Sequence, residues 1–332
     1  MNRSTFALLL ACAAVVPVEA QVHSPPRNPP KTDGPLIPQK PQISKPAGVD
    51  SLQAASRWRS VRLGVFSSEV YDTNIERNKV DAIPSNGFVF GGAVRYQSAP
   101  VRPGITAVYE IARHSYTRSE QFDRISHNLS TVLSRRLTKN LTAETIGEIA
   151  LKGSSEDRDV GDQYTVLPRL SYRLDPARRL RAYAAYRIRR YDSDSDRDAH
   201  NRYVGAELRS NVGRQSRAEV GYRFETNSAR AARRSYTRRT YYADLARSFG
   251  RDDDLYTELR YRSQRYDKRL IDVNGTTEPR HDHRITPTIE WTHRFGGGFS
   301  MIANYNFENR TSNDVDKGYL DHVFALTGRY DW

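Results

Sequence analysis

The last ten residues of the chain, Val323–Trp332, read VFALTGRYDW. Successive side chains of an extended strand point to opposite faces. Phe324, Leu326, Gly328, Tyr330 and Trp332 therefore share one face, and Val323, Ala325, Thr327, Arg329 and Asp331 the other. The first face is apolar and largely aromatic; the second is mixed and partly charged. A soluble β-sandwich could also close on such a strand. Because the pattern recurs along the chain, it favours a barrel that shows one face to lipid and the other to its own interior.

Working back from that strand, the chain divides into segments of the length a tilted membrane strand needs, roughly 9–11 residues plus rim. They run 57–70, 86–98, 103–115, 123–137, 140–153, 162–174, 179–191, 200–212, 216–227, 235–249, 254–267, 282–295, 298–310 and 318–332. The expected fold is all-β: a transmembrane, antiparallel, up-and-down β-barrel of about fourteen strands. The connections alternate. LTKN, DPAR, VGRQ, GRDD and FGGG are short and carry turn-forming residues. GSSEDRDVGD, DSDSDRDA, NSARAARRS, KRLIDVNGTTEPR and NRTSNDVDKG are longer and polar. Short turns on one side and long loops on the other are an outer-membrane layout, with both barrel ends on the periplasmic side when the count is even.

The chain ahead of the barrel is of another kind. Residues 1–20 combine Arg3, an apolar run from Phe6 to Val16 and the small-x-small ending Val18-Glu19-Ala20, which reads as a signal peptide. The run is too short to span a bilayer as a helix. It holds the only cysteine, Cys12, in a loose imitation of a lipobox. The mature chain then has no cysteine, which excludes disulfides, thiol nucleophiles and thiolate metal sites. Residues 21–55 form a proline-rich linker, read as disordered and periplasmic, and 56–332 the barrel.

Alternation assigns the faces. Lipid-facing rows are Tyr164, Val166, Leu170 and Tyr172; Leu255, Leu259 and Tyr261; Ile285, Ile289, Trp291 and Phe295; and Phe299, Met301, Ala303, Tyr305 and Phe307. The opposite rows supply the expected lumen-lining set: Arg169, Arg173, Arg181, Arg187, Arg189, Glu219, Arg223, Glu258, Arg260, Arg262, Glu290, Arg294 and Glu308. An arginine in lipid at mid-depth costs ~2–4 kcal/mol, so several per strand must face water or one another. In this register His293 faces lipid, which suggests a slip or a bulge in its strand.

VYDTNI at Val70–Ile75, RPGITAVYEIARHSY at Arg102–Tyr116, RLRAYAAYRIRRYD at Arg179–Asp192 and the closing FALTGRYDW carry a resemblance to the β-barrel porin 2 family of bacterial outer-membrane proteins. It covers residues 57–332 and implies a polymer-export or accessory channel, often beside exopolysaccharide systems. The barrel also looks like the C-terminal barrel of surface-lipoprotein assembly modifiers, without the helical-repeat domain those carry ahead of it. In outer-membrane barrels a closing aromatic strand is the signal for the assembly machinery. That role would fall here to Phe324, Leu326, Tyr330 and Trp332.

The expected function is an outer-membrane channel for anionic solutes, or one assisting exopolysaccharide export, through an arginine-rich lumen. The alternative is a structural or assembly barrel plugged by its own Arg–Glu network or by the linker, and a third reading is a hydrolase at the outer rim. The expected partners are membrane lipid, lipopolysaccharide, the barrel-assembly machinery and an acidic polysaccharide or anionic solute. A net charge of +13 invites a nucleic-acid reading, but the arginines are spread over alternating positions and no nucleic-acid motif is present. Catalysis is not expected, and no cofactor or metal is. His114 is the best-placed base, with no serine or carboxylate assignable to it from spacing. His281 and His283 make at most a lone metal pair, and Asp192–Asp198 lacks the glycine and glutamate of a calcium loop.

Overall fold

The computed structural model describes residues 60–75, 77, 82–98, 104–117, 123–154, 160–192, 194–213 and 215–332. The signal-peptide reading of 1–20 and the linker reading of 21–55 lie outside them. Fourteen strands follow in order: β1 Ser60–Asp72, β2 Ser85–Gln97, β3 Gly104–Tyr116, β4 Arg124–Arg136, β5 Leu141–Ser154, β6 Val160–Arg173, β7 Arg178–Tyr191, β8 Ala199–Val212, β9 Ser216–Ala229, β10 Tyr236–Phe249, β11 Asp253–Val273, β12 Thr276–Gly296, β13 Phe299–Ser312 and β14 Tyr319–Asp331. Each pairs antiparallel with its chain neighbours, and β1 pairs with β14 to close the barrel. Closure satisfies every strand edge, as a bilayer requires. At the seam Gly64 lies opposite Asp331 and Asp72 opposite Val323. Leu63 and Trp332 exchange backbone hydrogen bonds of 3.0 and 3.2 Å there.

Local chemistry explains the turns. In the β6–β7 turn the Asp175 carboxylate accepts the N–H groups of Ala177 and Arg178, both at 2.8 Å. The Arg178 guanidinium, 2.6 Å away, holds that carboxyl below its ordinary range. Pro168 sits in mid-strand, and the β6–β7 ladder lapses between Val166↔Tyr186 and Arg169↔Tyr183, where proline has no N–H to give.

One connection departs from the sequence reading. The polar stretch 268–280, expected as a long loop, is instead the far end of a hairpin: β11 and β12 each run 21 residues. They meet at Asn274-Gly275, where φ is 54° and 81°. Two consecutive positive φ values make the tight turn whose twist suits a hairpin, and Asn-Gly is the pair that adopts it most readily. The result is a β-tongue standing beyond the other strands, with a register shift between Tyr266 and Leu270.

Outward-facing residues form an exposed apolar belt that includes Phe90, Val166, Leu170, Leu245, Ile289, Phe324, Leu326 and Trp332. So continuous an apolar exterior is the surface of a barrel solvated by acyl chains. His293 does face outward. It lies 2.8 Å from Asp253, packs edge-on against Phe295, and is followed by a register shift between Arg294 and Gly296.

Candidate functional site

The barrel interior gathers the charges. All thirteen residues expected to line the lumen point inward by strand parity, with Arg173 exposed at the turn end. Buried guanidinium and carboxylate groups must be paired, and they are. Toward the turn end Arg181 reaches Glu207 at 2.6 Å and Glu219 at 3.1 Å, while Arg209 reaches Glu219 at 2.8 Å. Tyr242 donates to the other oxygen of Glu207 at 2.6 Å, and Arg169 holds Glu144 at 2.7 Å. Arg260 pairs with Glu258 at 2.5 Å, and Arg294 with Asp254.

Toward the loop end Glu225 is fully buried and accepts from Asn201 at 2.6 Å. Arg238, also buried, donates to Gln264 at 2.9 Å and to the Tyr236 hydroxyl at 2.8 Å. Arg187 lies over the Tyr203 ring, 5.0 Å from its centroid, and Arg223 over the same ring at 5.3 Å. At the same end, across the barrel wall, Glu308 is held by Arg77 at 3.2 Å, by Arg284 at 3.4 Å and by the Tyr319 hydroxyl. Asp282 takes Arg280 at 2.8 Å and Arg310 at 2.5 Å. Arg262 and Glu290 are buried in the same wall, and Arg189 donates to Tyr236 at 3.5 Å.

Glu144, Glu207, Arg209, Arg238, Arg280, Asp282, Arg284 and Arg310 were not among the residues expected to line the lumen. The parity that marked their neighbours would have found all but Arg280, which falls in the stretch read as a loop.

Register shows a further arrangement. Arg173 lies directly opposite Arg179, and Arg179 opposite Arg209, so three arginines stand side by side across β6, β7 and β8. A second row, Arg262, Arg284 and Arg310, crosses β11, β12 and β13. Like charges directly opposed on neighbouring strands are destabilising. Carboxylates offset part of that repulsion: Glu219 pairs with Arg209, Glu308 with Arg284 and Asp282 with Arg310.

The other sequence candidates resolve differently. His114 does have a serine, Ser126, at 2.9 Å, but both are buried in the inner wall. Among the described residues no carboxylate orients that ring. His281 and His283 stack edge to face at 5.8 Å. Among the described residues no three His, Cys, Asp or Glu are placed to hold a metal. The acidic loop is a brace: Asp192 pairs with Lys152, Asp194 with Arg234, Asp196 with Arg233, and Asp198 accepts the Tyr191 N–H.

No protein-family profile matches the chain, so the porin 2 resemblance rests on its motifs alone. No curated protein matches it either. Solved structures do. A loop-deletion mutant of OmpT, an outer membrane protein of Vibrio cholerae, is 11% identical, with a TM-score of 0.50 over 82% of this chain and 99% of its own. An anion-selective porin from Comamonas acidovorans is 8% identical, with a TM-score of 0.46 over 83% of this chain and 100% of its own. At such identities the first likeness shows the barrel fold and nothing finer.

Proposed function

We propose that this chain is an outer-membrane channel whose interior favours anions, either small anionic solutes or an acidic exopolysaccharide on its way out of the cell. The carrying observation is the two rows of directly opposed arginines, Arg173–Arg179–Arg209 and Arg262–Arg284–Arg310. In the first row Arg173 and Arg179 are exposed and Arg209 half-buried, so a passing carboxylate or phosphate exchanges part of its hydration shell for their N–H donors, while the second row, buried against Glu308 and Asp282, lends its charge to the wall. Arg169, Arg260 and Arg294 add side chains 23%, 32% and 37% exposed, open enough for hydrated ions to sense. The apolar belt fits a membrane location. The aromatic edge of β14, Phe324, Leu326, Tyr330 and Trp332, is the proposed recognition strip for the barrel-assembly machinery, with lipid and lipopolysaccharide around it.

The second reading is a structural barrel that carries no current. It is favoured by the burial of Arg238 and Glu225, with side chains 1% and 0% exposed inside the barrel toward its loop end. Single-channel current under a salt gradient separates the two. An anion-leaning reversal potential that swings toward cations when Arg173, Arg179 and Arg209 are all changed to Glu supports the channel. A correctly folded barrel that stays silent replaces it with the structural reading.

A further inference from the structure

At the loop end lies a cavity of about 560 Å³. Its walls come from four separate connections. The β7–β8, β9–β10 and β13–β14 loops each contain one turn of 3₁₀ helix: Ser195–Arg197, Ala232–Arg234 and Val315–Lys317. Each turn ends in a cation that lines the cavity, namely Arg197, Arg233 with Arg234, and Lys317. The β-tongue and its base supply Tyr266, Arg269 and Arg280. Three unrelated loops and a hairpin converge on one chemistry.

Among the described residues no carboxylate lines the cavity. The acids stand behind it: Asp194 holds Arg234 at 2.7 Å, Asp196 holds Arg233 at 3.4 Å, and Asp314 holds Arg269 at 3.0 Å. A guanidinium carries five donors, and an ion pair of this kind engages only one or two. Acids placed behind therefore fix the guanidinium groups in position and leave donors directed at the cavity. The lining also holds three tyrosines, each with a guanidinium over one ring face: Arg197 on Tyr191 at 5.1 Å, Arg238 on Tyr236 at 4.7 Å and Arg280 on Tyr266 at 4.8 Å.

We propose that this cavity is a capture site for an acidic oligosaccharide, a run of pyranose rings each bearing a carboxylate. Carboxylates dock on the guanidinium and ammonium groups, and the rings lie against the tyrosines. The volume falls within the roughly 300–1,000 Å³ of a small-ligand site, more than a lone inorganic anion fills. Cations spread over four connections suit a chain with repeated charge better than a single phosphate. The assignment rests on the anion-channel reading only for what becomes of the captured chain, since binding itself requires no current.

The test is calorimetry on the folded barrel in detergent micelles, with four probes: a galacturonic acid hexamer, maltohexaose, a thymidylate hexamer and inorganic phosphate. The uronate is expected to bind at least roughly tenfold tighter than each of the others. Arg233→Ser with Arg234→Ser, and separately Arg197→Ser, should each weaken it roughly tenfold. Tyr266→Ala should weaken the uronate and leave phosphate unchanged. Wild-type-like unfolding midpoints of these loop variants keep the comparison clean. The proposal is overturned if the uronate does not bind, if maltohexaose, the thymidylate or phosphate binds as well, or if the variants leave affinity intact. An anion-selective barrel that ignores the uronate would sink this site and spare the channel. Uronate binding to a silent barrel would do the reverse.

Discussion

The two halves of the inner wall share one backbone plan and almost no chemistry. From β6 to β13 the inward side chains are arginines, carboxylates and tyrosines in contact with one another. From β1 to β3 they include an apolar patch: Phe66, Val70, Val89 and Ala112 form a buried cluster, joined by Val323 and Ala325 of β14, with Arg62, Asp72, Arg95, Glu110 and His114 inward around it. Both halves seat an aromatic ring over an inward glycine. Tyr116 lies across Gly87 and Phe66 across Gly91 on the quiet side; Tyr183 lies across Gly205 and Tyr242 across Gly221 on the charged side. What differs is the rim of each ring. Tyr242 ends in a hydroxyl bound to Glu207 at 2.6 Å, whereas Phe66 has only carbon around it. One wall is therefore held by a wired polar lattice and the other by simple packing.

The largest expected effect tests that difference directly. Glu308 is buried among Arg77, Arg284 and Tyr319, so Glu308→Ala removes a buried carboxylate that two guanidinium groups share and should cost about 3–5 kcal/mol. Val89→Ala, at a site 0% exposed on the quiet wall, should cost only about 1–2 kcal/mol. Denaturant midpoints of the refolded barrel in micelles measure both. Equal losses would mean that the charged wall is no more interdependent than the apolar one.

How much of this the sequence disclosed follows from the same contrast. On β6, β12 and β14 one face is apolar and the other charged, so a period of two separates them and the inward arginines are legible. On β1 and β2 the inward Phe66, Val70 and Val89 are as apolar as the outward Val65 and Phe88, and alternation has nothing to alternate. The tongue failed for another reason. Along 268–280 apolar and polar residues fall on both faces, with Leu270 on one and Ile271 and Val273 on the other, so no alternation marks a strand and Asn274-Gly275 remains its hairpin signal. The vestibule was invisible because no single segment contains it. Its cations come from separated loops, and only the three-dimensional convergence makes them one site.

A smaller effect sharpens the comparison at the glycines. The three atoms nearest a Cβ on Gly221 all belong to the Tyr242 side chain, the first at 2.3 Å. A Cβ on Gly91 would meet the Phe66 ring at 2.4 Å and also the Ile111 carbonyl at 2.5 Å. Each Gly→Ala change should cost about 1–3 kcal/mol by overpacking. In double-mutant cycles Tyr242→Ala should recover most of the Gly221→Ala loss, and Phe66→Ala only part of the Gly91→Ala loss, because backbone cannot be cut away. The same recovery in both cycles would contradict the geometry.

The smallest effect lies on the outer face, where polarity is handled without charge lattices. Four tyrosine hydroxyls sit within hydrogen-bond reach of a histidine Nδ1 on the next strand: Tyr109 with His127 at 2.8 Å, Tyr186 with His200 at 2.6 Å, Tyr261 with His283 at 2.8 Å and Tyr305 with His322 at 2.9 Å. The register is the same each time. The histidine lies opposite the residue two beyond the tyrosine, as His322 opposite Phe307 shows, always toward the loop end of a loop-connected hairpin. An imidazole set in an apolar belt must satisfy its ring nitrogen, and a diagonal tyrosine does so within one hairpin. Tyr305→Phe should therefore cost about 0.5–1.5 kcal/mol by leaving His322 without that partner. Adding His322→Phe should return the barrel to near wild type, because an unmade hydrogen bond costs only when one side of it remains. A double variant no better than the single would mean that these histidines are kept for contacts beyond their own hairpin, and that the outer face is as interdependent as the charged wall within.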